Sequence, residues 1–153
     1  MSRHWFIAHL VSKCTKGKHI GLDVGSGLDN WKEFKKCKFI NIDQKLPADQ
    51  ILDLNTSPLP FANNSFDVVI SINVLNYLHN YRILTEIYRV LVGGGLFLCI
   101  VNNENANQKE TMTLSKLQEL TTRFKPKMGL MDRLYAWHYN RTSVYAFIVL
   151  EKI

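Results

Sequence analysis

The sequence predicts an α/β fold in which a mostly parallel sheet has helices on both faces and ends in an antiparallel hairpin. Apolar runs rich in Val, Ile and Leu alternate with stretches of helical periodicity over the first hundred residues, as in consecutive strand–helix units. One run, FDVVISINV, is almost continuously apolar, which is typical of a strand buried on both faces. Two strand-like runs near the C-terminal end flank the turn-like sequence NRTS and predict the hairpin.

The first predicted elements surround a glycine-containing loop. Residues 4–14 carry apolar side chains at helical spacing, and residues 18–24 form an apolar run that ends at Gly25, as a buried strand does. Residues 29–36 predict a short helix, because the Asp and Asn at its start can accept hydrogen bonds from its first backbone N–H groups.

Four further strands are predicted from apolar, β-branched runs: residues 38–43, 50–55, 66–74 and 96–101. Between the first two of them, QKLPAD is too short for a crossover helix. Residues 78–91 predict a helix stopped by the three glycines at 93–95, and residues 113–124 predict a helix capped by its first Thr. The hairpin pairs residues 133–140 with 143–153 and places one reversed strand at an edge of the sheet.

Length and cysteine content are typical of a single-domain protein of the cytoplasm. At 153 residues the chain suits one domain, residues 1–153. Cys14, Cys37 and Cys99 are far apart and form no C-x-x-C pair, so we expect reduced thiols in the cytoplasm rather than disulfides or a zinc site. The five histidines are dispersed and predict no metal cluster. No apolar run approaches the roughly 20 residues of a membrane span.

The net charge of +6 is unevenly distributed. Lys and Arg outnumber Asp and Glu nine to four over residues 1–45 and eight to four over residues 109–153, whereas acids predominate between them. The basic ends could attract an anionic partner such as nucleic acid or a phosphorylated metabolite. A solvated basic surface that aids solubility explains the same charges, and no Arg-rich run favours nucleic acid.

The loop after the first strand has features of a ligand-binding loop. Gly25 and Gly27 allow a tight turn and close approach of a ligand to the backbone. A dinucleotide-binding loop has a third glycine where Asn30 stands, which disfavours a nicotinamide-dependent oxidoreductase. Asp23 would repel a pyrophosphate but can help to hold a cationic ligand. A tight turn without any ligand is nearly as consistent with the two glycines alone.

Two carboxylates end the next strands. Asp43 follows Gly25 by 18 residues, close to the spacing at which an acid meets the ribose hydroxyls of a bound nucleoside. Asp53 ends the third predicted strand, where it can accept from the amine of adenine while Leu54 lies against the ring. The alternatives are a strand-end turn residue for Asp43 and a cap of the turn NTSP for Asp53.

Several motifs together resemble those of the class I S-adenosylmethionine-dependent methyltransferases. They are IGLDVGSG, the acid in NID, DL before SPLPFANNSFDVVIS, and EIYRVLVGGGLFLCIV. Over residues 18–101 the chain is most similar to the branch that includes the ubiquinone and menaquinone biosynthesis methyltransferases. The resemblance implies a three-layer Rossmann-like fold and S-adenosylmethionine as the cofactor. That cofactor has no pyrophosphate and so needs no third glycine.

The resemblance also implies a set of cofactor-binding residues. They are Asp23, Gly25, Ser26 and Gly27 for the methionine portion, Asp43 for the ribose hydroxyls, Gln44, Asp53 and Leu54 for adenine, and Asn73 for the methionine amine and the mouth of the substrate pocket.

Catalytic residues are only weakly indicated. Methyl transfer from a sulfonium is an in-line displacement that depends chiefly on alignment, and a general base is needed only when the acceptor must lose a proton. Candidate bases are Tyr77 and His79 after the fourth strand, and His138 or the adjacent Tyr139 in the hairpin. The alternatives place Tyr77 in the core and His79 at the start of the following helix.

The acceptor is not identified by the sequence. SINVLNYL stands where an Asn-Pro-Pro-Tyr type motif would follow the fourth strand, which argues against methylation of adenine in nucleic acid. Little sequence is left for a domain that covers the substrate, so the acceptor is either small and held by short loops or large and docked on an open face. Of these we favour a small molecule over nucleic acid. The alternative is a non-catalytic subunit that keeps the fold and binds or stabilises a partner.

Overall fold

The computed structural model describes residues 3–79, 81–102, 122–127 and 145–153. The strands among them are β1 (Ile20–Val24), β2 (Lys38–Asp43), β3 (Gln50–Ile51), β4 (Phe66–Ile72), β5 (Leu91–Asn102), β6 (Phe124–Pro126) and β7 (Tyr145–Lys152). The helices are α1 (Arg3–Thr15) and α2 (Arg82–Val90), with single 3-10 turns at Lys32–Phe34 and Leu75–Tyr77.

The strands form one sheet in the order β3-β2-β1-β4-β5-β7-β6. Neighbours from β3 to β5 are parallel, and β7 is antiparallel to both β5 and β6. The predicted α/β class, mostly parallel with a reversed C-terminal strand, is therefore confirmed. The strand order reverses between β1 and β4, and the carboxyl ends of these strands are the usual ligand site of such sheets.

Two hydrophobic clusters lie on opposite faces of the sheet and make a three-layer structure. On one face, Leu10 and Val11 of α1 pack with Val68 of β4. On the other face, Ile87 of α2 packs with Val69 of the same strand. Successive residues of β4 are thus buried on both faces, as its continuous apolar sequence predicts.

Three predicted elements are shorter than expected. The predicted helix 29–36 is a single 3-10 turn at Lys32–Phe34: Asp29, with a left-handed φ of 53°, lies outside it, and the turn ends at Lys35, whose ψ of 119° is extended. The predicted strand 50–55 is reduced to β3, because the Asp53 carboxylate accepts from the backbone N–H of Asn55 and starts a turn. The predicted helix 78–91 begins only at Arg82.

The C-terminal part also departs from the prediction. The reversed strand β7 lies between β5 and β6, so it is one place in from the edge of the sheet. Phe124, predicted as the end of a helix, belongs to β6. The rest of the predicted helix 113–124, up to residue 121, and the predicted strand 133–140 lie outside the described residues.

The three glycines at 93–95 lie in a bulge of β5. Helix α2 already ends at Val90, and β5 pairs Leu91 with Phe66 and then Leu96 with Val68. The register therefore shifts between these pairs, and the intervening residues loop out of the ladder. Gly94 has a φ of 73°, which a bulge accommodates most easily with glycine.

Arg89 clamps the loop that precedes β4. Its guanidinium donates to the carbonyl oxygens of Leu59 (2.9 Å) and Phe61 (2.7 Å) and pairs with Glu86 at 2.8 Å. Glu86 also accepts from the Leu59 N–H at 2.8 Å. The motifs LPFANNSFDVV and RVL are therefore in contact in the structure. Arg89, in the second motif, holds the first motif against α2.

Replacing Arg89 with alanine should lower the free energy of unfolding by about 2 kcal/mol, because two loop carbonyls lose a charged donor. Arg89→Lys should lose part of this stability, since lysine keeps the charge but not the planar fork. Urea unfolding of both variants measures the effect, and an unchanged midpoint for Arg89→Ala would show that the clamp adds nothing.

Candidate functional site

A cavity of about 370 Å³ lies at the carboxyl ends of β1, β2 and β4. Its volume falls in the range of small-molecule sites, and its place is the point where the strand order reverses. The cavity is lined by Gly25, Asp43, Gln44, Leu54, Asn55, Asn73, Val74, Tyr77 and Leu78.

Five of the nine predicted cofactor-binding residues line this cavity, namely Gly25, Asp43, Gln44, Leu54 and Asn73. The candidate base Tyr77 also lines it. Three lining residues were not predicted, namely Asn55, Val74 and Leu78. Each directly follows a residue that was predicted to bind the cofactor or was a candidate base. Proximity along these loops is the signal that could have found them.

The other predicted residues lie around the cavity rather than on its wall. Asp23 and Ser26 are buried, at 2% and 9% exposure. Gly27 is exposed and donates its N–H to Asp43. The Asp53 carboxylate accepts from Asn55 N–H and from the Thr56 hydroxyl, both at 2.9 Å, so it forms the turn that the sequence offered as the alternative.

The candidate bases occupy different positions. Tyr77 is 65% exposed, so the alternative that places it in the core is wrong. His79 does not begin α2, and its backbone N–H donates to Asn55 Oδ1 at 2.9 Å. His138 and Tyr139 lie outside the described residues.

Gly25 brings the first strand-end loop against the fourth. Its N–H donates to the carbonyl of Ile42 at 2.8 Å, and its φ of 76° is left-handed. A Cβ placed on Gly25 would lie 2.3 Å from Val74 Cγ2. Glycine is therefore required here both by the backbone conformation and by the contact with Val74.

Asp43 joins the glycine loop to the end of β2. Its Oδ2 accepts from the Gly27 N–H at 2.9 Å, and its Oδ1 accepts from the Lys45 N–H at 3.3 Å. Because a carboxylate has about four acceptor sites, two of them remain for hydroxyl groups of a ligand in the cavity.

Asn73 has a strained backbone conformation and a buried side-chain oxygen that accepts no hydrogen bond from the described residues. Its φ is 57°, which is uncommon for a residue with a side chain. Its side-chain Oδ1 is buried at the cavity without a hydrogen-bond partner among the described residues. Strain and unsatisfied polar atoms cluster where ligands bind.

A buried ion-pair cluster lies beside the glycine loop. Lys35 Nζ is 2.8 Å from Asp23 Oδ2 and 2.5 Å from Asp29 Oδ1, and it donates to Asn41 Oδ1 at 2.8 Å. Burial raises the pKa of Asp23 to about 6, although the Lys35 ammonium opposes this shift. Asp29 and Asp43 add smaller increases to the pKa of Asp23.

The raised pKa of Asp23 predicts a pH-dependent stability. The folded protein binds this proton more tightly than the unfolded chain, whose carboxyl has a pKa near 3.8. The contribution of Asp23 is therefore fully present below pH 3.8 and is lost as the pH rises through 6. We expect the difference in unfolding free energy between wild type and Asp23→Asn to fall by on the order of 2–3 kcal/mol from pH 4 to pH 7.

Urea unfolding at several pH values measures this difference. The comparison with Asp23→Asn cancels the opposite contributions of Asp67 and Glu86, whose pKa values are lowered by hydrogen bonds. A difference that stays constant across this range would show that Asp23 titrates alike in the folded and unfolded chains.

Within the described ranges, no group of three or more His, Cys, Asp or Glu side chains is arranged to hold a metal ion. The helices in that part of the chain are also too short or too polar to span a membrane. Cys14, Cys37 and Cys99 form no disulfide bonds.

Comparisons with known proteins identify the family. A methyltransferase domain family matches residues 9–99. The chain is 37% identical over 84 residues to the ubiquinone/menaquinone biosynthesis C-methyltransferase UbiE of Brucella canis, a match covering 54% of this chain and 30% of that protein. It is 30% identical over 142 residues to the demethylmenaquinone methyltransferase of Lactiplantibacillus plantarum, covering 91% of this chain and 55% of that protein. The chain thus spans about a third to a half of the length of these relatives.

A solved structure has the same fold. The S-adenosylmethionine-dependent methyltransferase from Mesorhizobium loti superimposes with a TM-score of 0.71 at 14% identity, covering 99% of this chain and 98% of that one. The superposition and the family match together lead to one conclusion. The chain belongs to the methyltransferase domain family and has the Rossmann-like fold of the class I S-adenosylmethionine-dependent methyltransferases.

Proposed function

We propose that this protein binds S-adenosylmethionine in the cavity described above and transfers its methyl group to a small-molecule acceptor. The observation that carries the proposal is that Gly25, Asp43 and Leu54 line the same cavity at the strand-order reversal. An approachable backbone, a carboxylate and an apolar surface suit the three parts of an adenosyl sulfonium: its charged tail, its ribose and its adenine.

The chemistry of the lining residues fits this cofactor. Asp43 keeps acceptor sites for the two ribose hydroxyls, and buried Leu54 offers an apolar surface for adenine beside Gln44. Asn73 Oδ1, which lacks a partner among the described residues, can accept from the ammonium of the methionine portion. The Asp53 carboxylate is engaged in a turn with Asn55 and Thr56, so we propose that it contributes to the adenine site by shaping the turn that contains Leu54.

The chain's residues would act mainly by alignment. When bound, S-adenosylmethionine supplies an electrophilic methyl group. Leu54, Val74 and Leu78 offer apolar surface that excludes water from the cavity, while the glycine loop and Asp43 fix the orientation of the nucleoside. Such positioning can account for several orders of magnitude in rate. Tyr77, on the cavity wall and largely exposed, is the candidate to meet the acceptor.

We propose a small acceptor of the kind that the names of the relatives indicate, quinone precursors in the case of UbiE and demethylmenaquinone methyltransferase. The proposal extends to a cytoplasmic location, which is consistent with three cysteines that form no disulfide bonds. It also treats residues 1–153 as one domain, supported by the single sheet that the described strands form.

Calorimetric titration with S-adenosylmethionine, S-adenosylhomocysteine and a nicotinamide dinucleotide tests the cofactor. We expect binding of the first two and none of the third. A transfer assay with a labelled methyl group on quinone precursors and on nucleic acid then tests the reaction. Binding without transfer to any acceptor would favour the non-catalytic alternative, and binding of the dinucleotide alone would overturn the proposal.

A further inference from the structure

Lys35 is an almost fully buried cation whose partners come from three different parts of the site. Its side chain is 5% exposed. Its ammonium contacts Asp23 on β1, Asp29 at the end of the glycine loop and Asn41 on β2. It also lies 4.8 Å from the centre of the Phe39 ring. Burying an ammonium is costly unless such partners compensate it.

The cluster holds the outer end of the glycine loop in an unfavourable conformation. Asp29 has a left-handed φ of 53°, a conformation that is unfavourable for most residues with a side chain. Its two carboxylate oxygens are held separately, one by Lys35 and the other by Asn41 Nδ2 at 3.0 Å. Asn41 in turn lies opposite Asp23 in the pairing of β1 with β2. The loop end is thereby tied to β1 and β2.

The other end of the loop, at Gly25, lines the cavity. Gly25 and Ser26 donate their N–H groups to Ile42 O, and Gly27 donates to Asp43. Beyond Gly27 the loop is held at Asp29, whose backbone N–H donates to Ser26 O at 2.9 Å and whose carboxylate is bound by Lys35 and Asn41. A shift of Asp29 would therefore be transmitted through a few residues to Gly25 and Asp43, which line the cavity.

We propose that Lys35 is a positioning residue: it fixes the glycine loop through Asp29 and neutralises Asp23, and so sets the affinity for an adenosyl sulfonium that it does not touch. This inference rests on the proposed function for its ligand. It also assigns Asp23 a partner within the chain, so that the carboxylate acts on the loop rather than on the ligand.

The test compares Lys35→Met, Asp29→Asn, Asp23→Asn and the double variant Lys35→Met/Asp23→Asn, with Lys36→Met as the control. Lys36 is the next residue, and its side chain is exposed. Calorimetry gives the dissociation constant for S-adenosylhomocysteine, and amide hydrogen exchange of residues 25–30 in the ligand-free protein reports the loop directly. Circular dichroism verifies that each variant is folded.

We expect Lys35→Met and Asp29→Asn to raise the dissociation constant at least tenfold at pH 7.5 and to accelerate exchange in the loop. Lys36→Met should change the constant less than threefold, and Asp23→Asn should raise it less than Lys35→Met does. The double variant should bind S-adenosylhomocysteine more tightly than Lys35→Met. In Lys35→Met the Asp23 carboxylate is buried beside Asp29 with no cation to balance it, whereas the double variant has a neutral Asn at position 23.

The pH profile separates positioning from a loss of packing alone. Asp23 faces Lys35, Asp29 and Asp43, so without the ammonium only acidic groups among them remain. In Lys35→Met, the affinity for S-adenosylhomocysteine should increase as the pH falls from 8 to 6, because Asp23 takes up a proton. In Lys35→Met/Asp23→Asn, which lacks this carboxylate, the affinity should not increase in this way.

Three results would overturn the inference. Unchanged affinity and exchange in Asp29→Asn, which keeps Lys35 paired with Asp23, would show that the loop needs no anchor. Asp23→Asn weakening binding as much as Lys35→Met would show that Asp23 meets the ligand itself. Amide exchange of the loop at wild-type rates in both Lys35→Met and Asp29→Asn would refute the positioning role, whatever the ligand. If the wild-type protein binds no adenosyl compound, it is the proposed function that fails.

Discussion

Gly25→Ala should abolish detectable binding of S-adenosylhomocysteine and destabilise the fold by on the order of 2–4 kcal/mol. The added methyl group would lie 2.3 Å from Val74 Cγ2, at a backbone φ of 76°. Relief of that clash requires the glycine loop or the loop after β4 to move, and both line the cavity. Thermal unfolding and calorimetry measure the two effects.

Two further variants separate the steric cause from backbone strain. Gly27 has a φ of 55° but no atom within 4 Å of a Cβ placed there, so Gly27→Ala should cost only about 1 kcal/mol of stability. Gly25→Ala/Val74→Ala should recover part of the stability lost by Gly25→Ala. Equal losses in Gly25→Ala and Gly27→Ala would contradict the steric explanation.

Asp43→Ala should weaken binding of S-adenosylhomocysteine by about 1–3 kcal/mol, which is roughly 5- to 150-fold. The variant loses the acceptor proposed for the ribose and also the acceptor of the Gly27 N–H. Asp43→Asn keeps one acceptor oxygen and should lose less affinity. An unchanged dissociation constant in Asp43→Ala would refute the ribose assignment.

Asp67→Ala is the matched control for Asp43→Ala. Its carboxylate accepts from two backbone N–H groups, His19 at 2.9 Å and Ile20 at 3.0 Å. These groups lie at the amino end of β1, away from the cavity. We expect Asp67→Ala to lower stability without changing affinity, so that a loss specific to Asp43→Ala is attributable to the site.

Residues at strand ends could be predicted from the sequence because strand position and ligand geometry are linked in parallel sheets. Gly25, Asp43 and Asn73 each follow a strongly apolar run, and all three line the cavity. Asp53 illustrates the limit of this approach. Its own carboxylate forms a local turn and ends β3 early, and such local hydrogen bonding competes with strand pairing without changing the apolar pattern.

Lys35 could not be predicted from any pattern in the sequence. It lies among other lysines in WKEFKKCK, a segment that suggests an exposed basic helix. Its burial depends on Asp23 and Asn41, which β1 and β2 bring together only in the folded sheet. Likewise, the position of β7 inside the sheet follows from pairing with both β5 and β6, which the order of elements along the chain does not determine.

The central claim is that the cavity at the carboxyl ends of β1, β2 and β4 holds an adenosyl ligand, and a crystal structure grown with S-adenosylhomocysteine tests it most directly. We predict that the ribose hydroxyls lie within hydrogen-bond distance of the Asp43 carboxylate and that the adenine contacts Leu54. An adenosyl group bound elsewhere on the protein, or a cavity without ligand at concentrations that saturate related methyltransferases, would contradict the account.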